Sequence, residues 1–189
     1  MRLARTLLVI LALTAGGSLA AGAARAAEDY GGDREALLAT FPQAKHSLAD
    51  AIRQVTQGGE AATVAKFEYE DGALHLSVYT SANGLGVDAE HNQFKEYKGD
   101  PMQGDWRPET EVFDDFTHIA RAAAYHTLMS MTRLSLLDII DKAQSSAAGK
   151  ALWVRPVVVD GRPVFDVAVE QYGELVNLRY DLVSGQPIE

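Results

Sequence analysis

One phrase occurs twice in this chain. Ser47-Leu-Ala-Asp50-Ala-Ile52 and Ser135-Leu-Leu-Asp138-Ile-Ile140 share the order Ser-Leu-x-Asp-x-Ile, and each is followed by β-patterned sequence carrying an Asp-Gly pair, Asp71-Gly72 and Asp160-Gly161. A Ser whose hydroxyl meets the third backbone N–H, answered by an acid at that third position, is the signature of a capped helix start. Apolar residues then recur at helical spacing. Leu48, Ala51, Ile52 and Val55 form one stripe and Leu136, Ile139, Ile140 and Ala143 the other, with Gly58-Gly59 and Gly149 as stops.

The β segments alternate with period two. Ala65, Phe67 and Tyr69 share one face and Lys66, Glu68 and Glu70 the other; after the Asp71-Gly72 turn, Leu74, Leu76 and Val78 oppose His75, Ser77 and Tyr79. That pattern predicts half-buried antiparallel strands. Asn83-Gly84 marks the next turn, Leu85 to Asp88 a short third strand, and Gln93 to Tyr97 a fourth. In the second half Phe165, Val167 and Val169 alternate, Tyr172-Gly173 turns the chain, Val176, Leu178 and Tyr180 alternate again, and Ser184-Gly185 closes. Pro156 and Pro163 cannot donate to a ladder, which predicts edge strands or strand ends. Arg34 to Phe41 reads as a brief helix ended by Pro42.

The expectation is an α+β protein of two repeated units, each a helix packed on a three- to four-stranded antiparallel sheet. The units span 27–99 and 134–189, and 100–133 between them reads as a polar linker with an extra helix over Val112 to Thr132. That helix carries Phe116, Ala120, Ala123, Thr127 and Met131 on one stripe.

Residues 1–26 read as a signal peptide. Arg2 and Arg5 precede an apolar run from Leu7 to Ala15, and Ala24-Arg25-Ala26 fits a cleavage site after Ala26. The apolar run is shorter than the roughly 20 residues a span requires, so stable membrane insertion after cleavage is not expected. The implied location is the periplasm or the outside of the cell. The chain's formal charge is −9, and removal of Arg2, Arg5 and Arg25 with no acid lowers it to −12. Such a field disfavours nucleic acid. The chain has no cysteine, so no disulfide can staple it and stability must come from its core.

The motifs resemble those of the PepSY domain, an exported module of one helix on an antiparallel sheet. The resemblance lies in the two Ser-Leu-x-Asp-x-Ile openings, the Asp-Gly hairpins, and the closing run Leu178-Arg-Tyr-Asp181-Leu-Val-Ser-Gly185. In the first half the closing run is looser, Gly86-Val-Asp88-Ala-Glu-His-Asn92, with Asn92 in place of the turn glycine. The resemblance implies binding without catalysis, to another exported or envelope protein such as a peptidase that it restrains or presents. It brings no catalytic residues and no cofactor.

From the residues themselves, the candidate contact positions are His75, Ser77 and Tyr79 on one polar strand face, Asp166 and Glu170 (with Arg179) on the corresponding face of the second half, and Trp106 in the linker. A partner would meet that sheet face or add a strand to an edge. Trp106 also admits a second role, pinning the linker onto the core, and Trp153 reads as core. Asp88 and Asp181 are placed to accept backbone hydrogen bonds in the turns that follow them. His118 and His126 stand roughly 12 Å apart along a helix, and His46, His75 and His91 are scattered without metal-ligand spacing. No catalytic triad, nucleophile elbow, phosphate loop or calcium loop is present. Two other classes remain open: a periplasmic small-ligand or metal-ion sensor, and an enzyme of unrecognised type that would need a deep pocket of convergent titratable groups.

Overall fold

A computed structural model describes residues 33–188; the predicted signal segment and its cleavage point lie outside them. The elements in order are α1 (Arg34–Thr40), α2 (Leu48–Val55), β1 (Ala61–Glu70), β2 (Ala73–Ser81), β3 (Phe94–Gly99), β4 (Glu109–Val112), α3 (Phe116–Ser130), α4 (Leu136–Ala147), β5 (Lys150–Val159), β6 (Arg162–Gln171), β7 (Glu174–Asp181) and β8 (Pro187–Ile188).

Both capped starts form. The Asp50 N–H donates to Ser47 Oγ at 3.1 Å and the Ser47 N–H to Asp50 Oδ2 at 3.2 Å; the Ser135–Asp138 pair repeats this at 3.2 and 2.8 Å. The stripes Leu48/Ala51/Ile52/Val55 and Leu136/Ile139/Ile140/Ala143 are buried as their spacing predicts. The two-residue hairpin turns also form, with positive φ at Asp71-Gly72, Asp160-Gly161 and Tyr172-Gly173, the conformation that twisted hairpins require. At Gly149 the reason for glycine is contact: a Cβ there would lie 2.1 Å from the Glu170 carbonyl oxygen.

The expectation of two repeated helix-on-sheet units is overturned. All eight strands belong to one antiparallel sheet in the order β4-β3-β2-β1-β5-β6-β7-β8. β1 and β5 pair at Ala65↔Val154 and Lys66↔Trp153, with ladder irregularities nearby at Ala62/Val64 and Ala151/Trp153. Pairing these strands removes two unpaired edges that separate sheets would present to water. It also aligns Ala65 and Phe67 with Leu152 and Val154, so α2 and α4 cover one continuous apolar face and share one core with α1 and Phe41. Pro156 and Pro163 therefore sit in interior strands. Pro156 is tolerated because the β1–β5 ladder does not extend to it.

The segment 100–133 is no linker, since it supplies β4 to the sheet and α3 to its second face. The predicted fourth strand is the third, β3, and Leu85 to Asp88 forms turns instead of a strand. Asn92 is not left-handed, with φ −98°. It braces this loop through its side chain, donating to the Gly84 carbonyl at 2.8 Å and accepting from the Asn83 N–H at 3.1 Å. The expected extra helix is shorter, and its predicted stripe faces outward: Phe116 is 86% exposed, and Ala120, Thr127 and Met131 are exposed too. Ala122, His126 and Met129 are buried instead.

At the entrance to β1, Glu60 ties three strands together. Its carboxylate accepts from Thr80 Oγ1 at 2.5 Å, Lys95 Nζ at 2.7 Å and Tyr97 Oη at 2.9 Å. Burial pushes this carboxyl up, but those three donors together hold it below its ordinary value of 4.5. A depressed carboxyl contributes stability that is fully present above its unfolded pKa and is lost as pH falls through its folded one. Glu60→Gln should therefore cost about 2 kcal/mol at pH 7, the scale of hydrogen bonds to a charged group. The gap from the parent protein should narrow as pH falls below the ordinary carboxylate range, read by urea unfolding at pH 7 and pH 3.

Candidate functional site

Alternation along the central strands sends their polar residues to the face opposite α2 and α4. Val64, Lys66, Glu68 and Glu70 on β1 share that face with His75, Ser77 and Tyr79 on β2, as the register Lys66↔Ser77 and Glu68↔His75 requires. Glu96 and Lys98 on β3 join them opposite Tyr79 and Ser77. Beyond β1 come Trp153 beside Lys66, then Asp166 opposite Arg155 and Arg179 opposite Asp166.

This face is not open. After Phe113, which stacks edge-on against Tyr79 at 5.2 Å, Asp115 caps α3 by accepting from the N–H groups of Thr117 and His118. α3 then runs across β1, β3 and β5. It is seated by Ala122 on a small cluster with Val64, Tyr79 and Phe94. A buried hydrogen bond between His126 Nδ1 and Ser81 Oγ, 2.8 Å long, fixes it further along, and the His126 ring lies 5.7 Å from that of Phe94. Ser130 Oγ lies 2.9 Å from the His126 carbonyl one turn back and 3.2 Å from the Leu85 carbonyl, so its single proton is shared between the helix and the braced loop.

Between helix and sheet lies a cavity of about 310 Å³. Its floor is Lys66, Glu68, Tyr79 and Glu96, its side wall Trp153 and Arg155, and its roof His118, Arg121 and Tyr125 from α3; Glu70 and Lys98 line it as well. The roof residues recur at i, i+3 and i+7, one side of the helix. Lys66 forms an ion pair and hydrogen bond with Glu68, and its ammonium stands 5.0 Å from the centre of the Tyr79 ring. Lys98 pairs with Glu70 at 2.5 Å, and Asp166 receives both Arg155 at 3.2 Å and Arg179 at 3.6 Å.

These surroundings set the protonation states. Burial pulls the Lys66 ammonium down, but Glu68, with Tyr79 and Glu96, outweighs it and holds the group well above its ordinary value. Burial raises Glu68, and Lys66 offsets only part of that. The Tyr79 phenol is pushed up to about 12, by burial first and by Glu96 and Glu68 after it, against Lys66. At neutral pH the floor therefore holds a charged lysine and a neutral phenol.

The predicted contact residues fare unequally. Strand parity places His75, Ser77, Tyr79, Asp166, Glu170 and Arg179 on one sheet face, as their ladders require. Tyr79 lines the cavity. Ser77 is wholly buried in register between Lys66 and Lys98, and His75 is half-buried. Asp166 anchors the two arginines. Glu170 serves the turn, its carboxylate accepting from the Gly173 N–H at 2.7 Å. Trp106 lies on the other face, 3% exposed in the helix-side core, with its carbonyl accepting from Gln54. It pins the segment after β3 and is no surface contact. Asp88 and Asp181 accept turn N–H groups as expected, from His91 and from Val183 and Ser184.

Sequence reasoning missed Lys66, Glu68, Glu96, Arg121, Tyr125 and Arg155 as site residues, because a polar strand face reads as solvent-facing until something covers it. The one available signal was α3 itself, whose His118, Arg121 and Tyr125 share a side. Among the described residues, no group of three or more His, Cys, Asp or Glu is arranged to hold a metal ion.

No protein-family model matches the chain, and no curated protein matches it. Among solved structures it is similar to a candidate lipoprotein from Clostridium difficile 630, at 15% identity and a TM-score of 0.38, over 77% of this chain and 92% of that one. The PepSY resemblance thus rests on the motifs quoted above. Among the described residues no helix is long and apolar enough to cross a membrane.

The Lys66–Glu68 pair gives the site a direct test. Their side chains are only 19% and 8% exposed, and removing one member of a buried pair strands the other charge. Lys66→Met should cost about 3 kcal/mol, whereas Lys66→Met with Glu68→Leu should recover most of that loss. Urea unfolding of the two variants beside the parent measures both terms.

Proposed function

We propose that this chain is an exported, non-enzymatic binding protein whose site is the cavity between the sheet and α3, and that a small charged solute occupies it. The observation that carries this reading is the cavity itself: about 310 Å³ lined by Lys66, Glu68, Glu96, Arg121 and Arg155 together with Tyr79, Tyr125 and Trp153. A pocket of this size suits a small molecule, and walls so rich in charge suit a polar one better than a lipid or other apolar ligand.

General acids and bases work best with pKa values near the operating pH; Lys66 and Tyr79 are driven upward, away from neutrality, while burial raises Glu68 toward it, so the reading rests on the shape and lining of the cavity. Export is supported by the leader-like residues 1–26, and the acidity of the remainder suits a soluble exported domain. Restraint of an envelope peptidase, which the PepSY resemblance implies, would use either the polar sheet face or the edge strands β4 and β8 as a contact surface. α3 covers part of that face, and Ser77, Tyr79 and Asp166 are buried.

The test is a thermal-shift survey of residues 27–189 with amino acids, dipeptides, dicarboxylates, polyamines and sugar phosphates. A solute at a hundredfold its Kd adds about 2.7 kcal/mol, which raises Tm by roughly 5–11 °C for a domain of this size. Tyr125→Ala, on the roof, should diminish the shift. If no charged solute moves Tm while a peptidase is captured stoichiometrically from the envelope, the cavity reading fails and restraint replaces it.

A further inference from the structure

The charges lining the cavity divide into those that are matched and those that are not. Lys66 is matched by Glu68, Lys98 by Glu70, and Arg155 by Asp166. Two lining charges have no ion pair among the described residues: the half-buried Glu96, on β3 in register with Tyr79, and Arg121, at the solvent-exposed rim of the roof. They have opposite signs and come from opposite walls.

That separation selects among ligands. A simple anion would meet Arg121 but also the Glu96 carboxylate across the cavity. A cation would meet Glu96 but also Arg121 and the Lys66 ammonium. Like-charge juxtapositions of this kind penalise the wrong partner. A molecule with one positive and one negative end satisfies both walls at once, and the aromatic rings of Tyr79 and Tyr125 offer apolar surface between them. Glu96 also acts at the centre of the floor, since its charge helps hold the Tyr79 phenol and the Lys66 ammonium protonated.

We propose that the ligand is a zwitterion of amino-acid to dipeptide size, its carboxylate received by Arg121 on α3 and its ammonium by Glu96 on β3. This rests on the reading of the cavity as the binding site. Such a ligand bridges helix and sheet across the cavity.

Isothermal titration calorimetry on residues 27–189 tests it with three probes: Ala-Tyr, N-acetyl-Ala-Tyr and Ala-Tyr-amide. Ala-Tyr should bind, and blocking either end should weaken binding at least tenfold. Arg121→Gln should make the free peptide and its amide bind alike, and Glu96→Gln should do the same for the free and acetylated peptides. Thermal melts of both variants establish that they fold, and the three-probe comparison on the parent protein needs no variant. Equal binding of free and blocked peptides overturns the zwitterion. So does failure of Ala-Tyr where another solute of the survey raises Tm; in both cases the cavity remains the site. If nothing binds there at all, both proposals fall.

Discussion

The pairing of β1 with β5 is the constraint on which the rest depends. It is short, two register pairs with ladder irregularities close by, yet it makes eight strands into one sheet. On one side it continues Ala65 and Phe67 into Leu152 and Val154, so that α2 and α4 close a common core. On the other it sets Trp153 beside Lys66 and brings Arg155 and Asp166 toward the polar residues of β1 to β3. Bulges of this kind end pairing and increase local twist. The seam is thus also the place where two long strands part, and the cavity lies on that seam.

What was legible in the sequence is what neighbours along the chain decide. The Ser–Asp caps, the buried stripes of α2 and α4 and the Asp-Gly turns all depend on residues within four positions of each other, and all form. Strand parity was legible too, which is why Tyr79, Ser77 and Asp166 fall on one face. The joining of the halves was not. A half-buried strand shows the same alternation whether its far edge meets water or another strand, so nothing in Ala61 to Glu70 announces β5. The loop after Asn83-Gly84 misled for a similar reason: Leu85 to Asp88 has strand-like content but is held as turns by the side chain of Asn92.

The helix α3 shows where pattern reasoning inverts. Its apolar stripe of Phe116, Ala120, Ala123 and Met131 should face the core by the ordinary rule. That rule assumes an apolar surface underneath. Here the floor holds Lys66, Glu68 and Glu96, so the helix buries Ala122, His126 and Met129, lays His118, Tyr125 and the exposed Arg121 along the cavity, and leaves Phe116 in solvent. Trp106 is the converse case, a tryptophan in a polar, proline-flanked stretch that packs against the opposite face. Polarity along the chain did not give the orientation of α3, because it answers to a surface made by distant strands, whereas the pinning of Trp106 onto the core was one of the two roles its position offered.

The floor itself is costly for a protein that has no disulfide to draw on. A buried ion pair stabilises less than the apolar residues that would fill its volume, and a space of about 310 Å³ under a helix forgoes packing that a closed core would have. Elsewhere the molecule is economical: the α2 and α4 face has large apolar side chains buried to within a few per cent. Local preference, patterning and packing agree on that face and conflict on the other. Conflicts of this kind concentrate where a protein's surface serves a ligand ahead of its own stability, and here, among the described residues, they coincide with a region in which charges of both signs, three aromatic rings and a cavity meet. The helix that covers this region is seated by one small cluster, by Met129 in the main core, by one buried histidine–serine hydrogen bond and by the stacking of His118 on Phe113. Arg121 on that helix and Glu96 on β3 have no ion pair among the described residues, so a solute contacting both walls would add contacts that the protein alone leaves unmade.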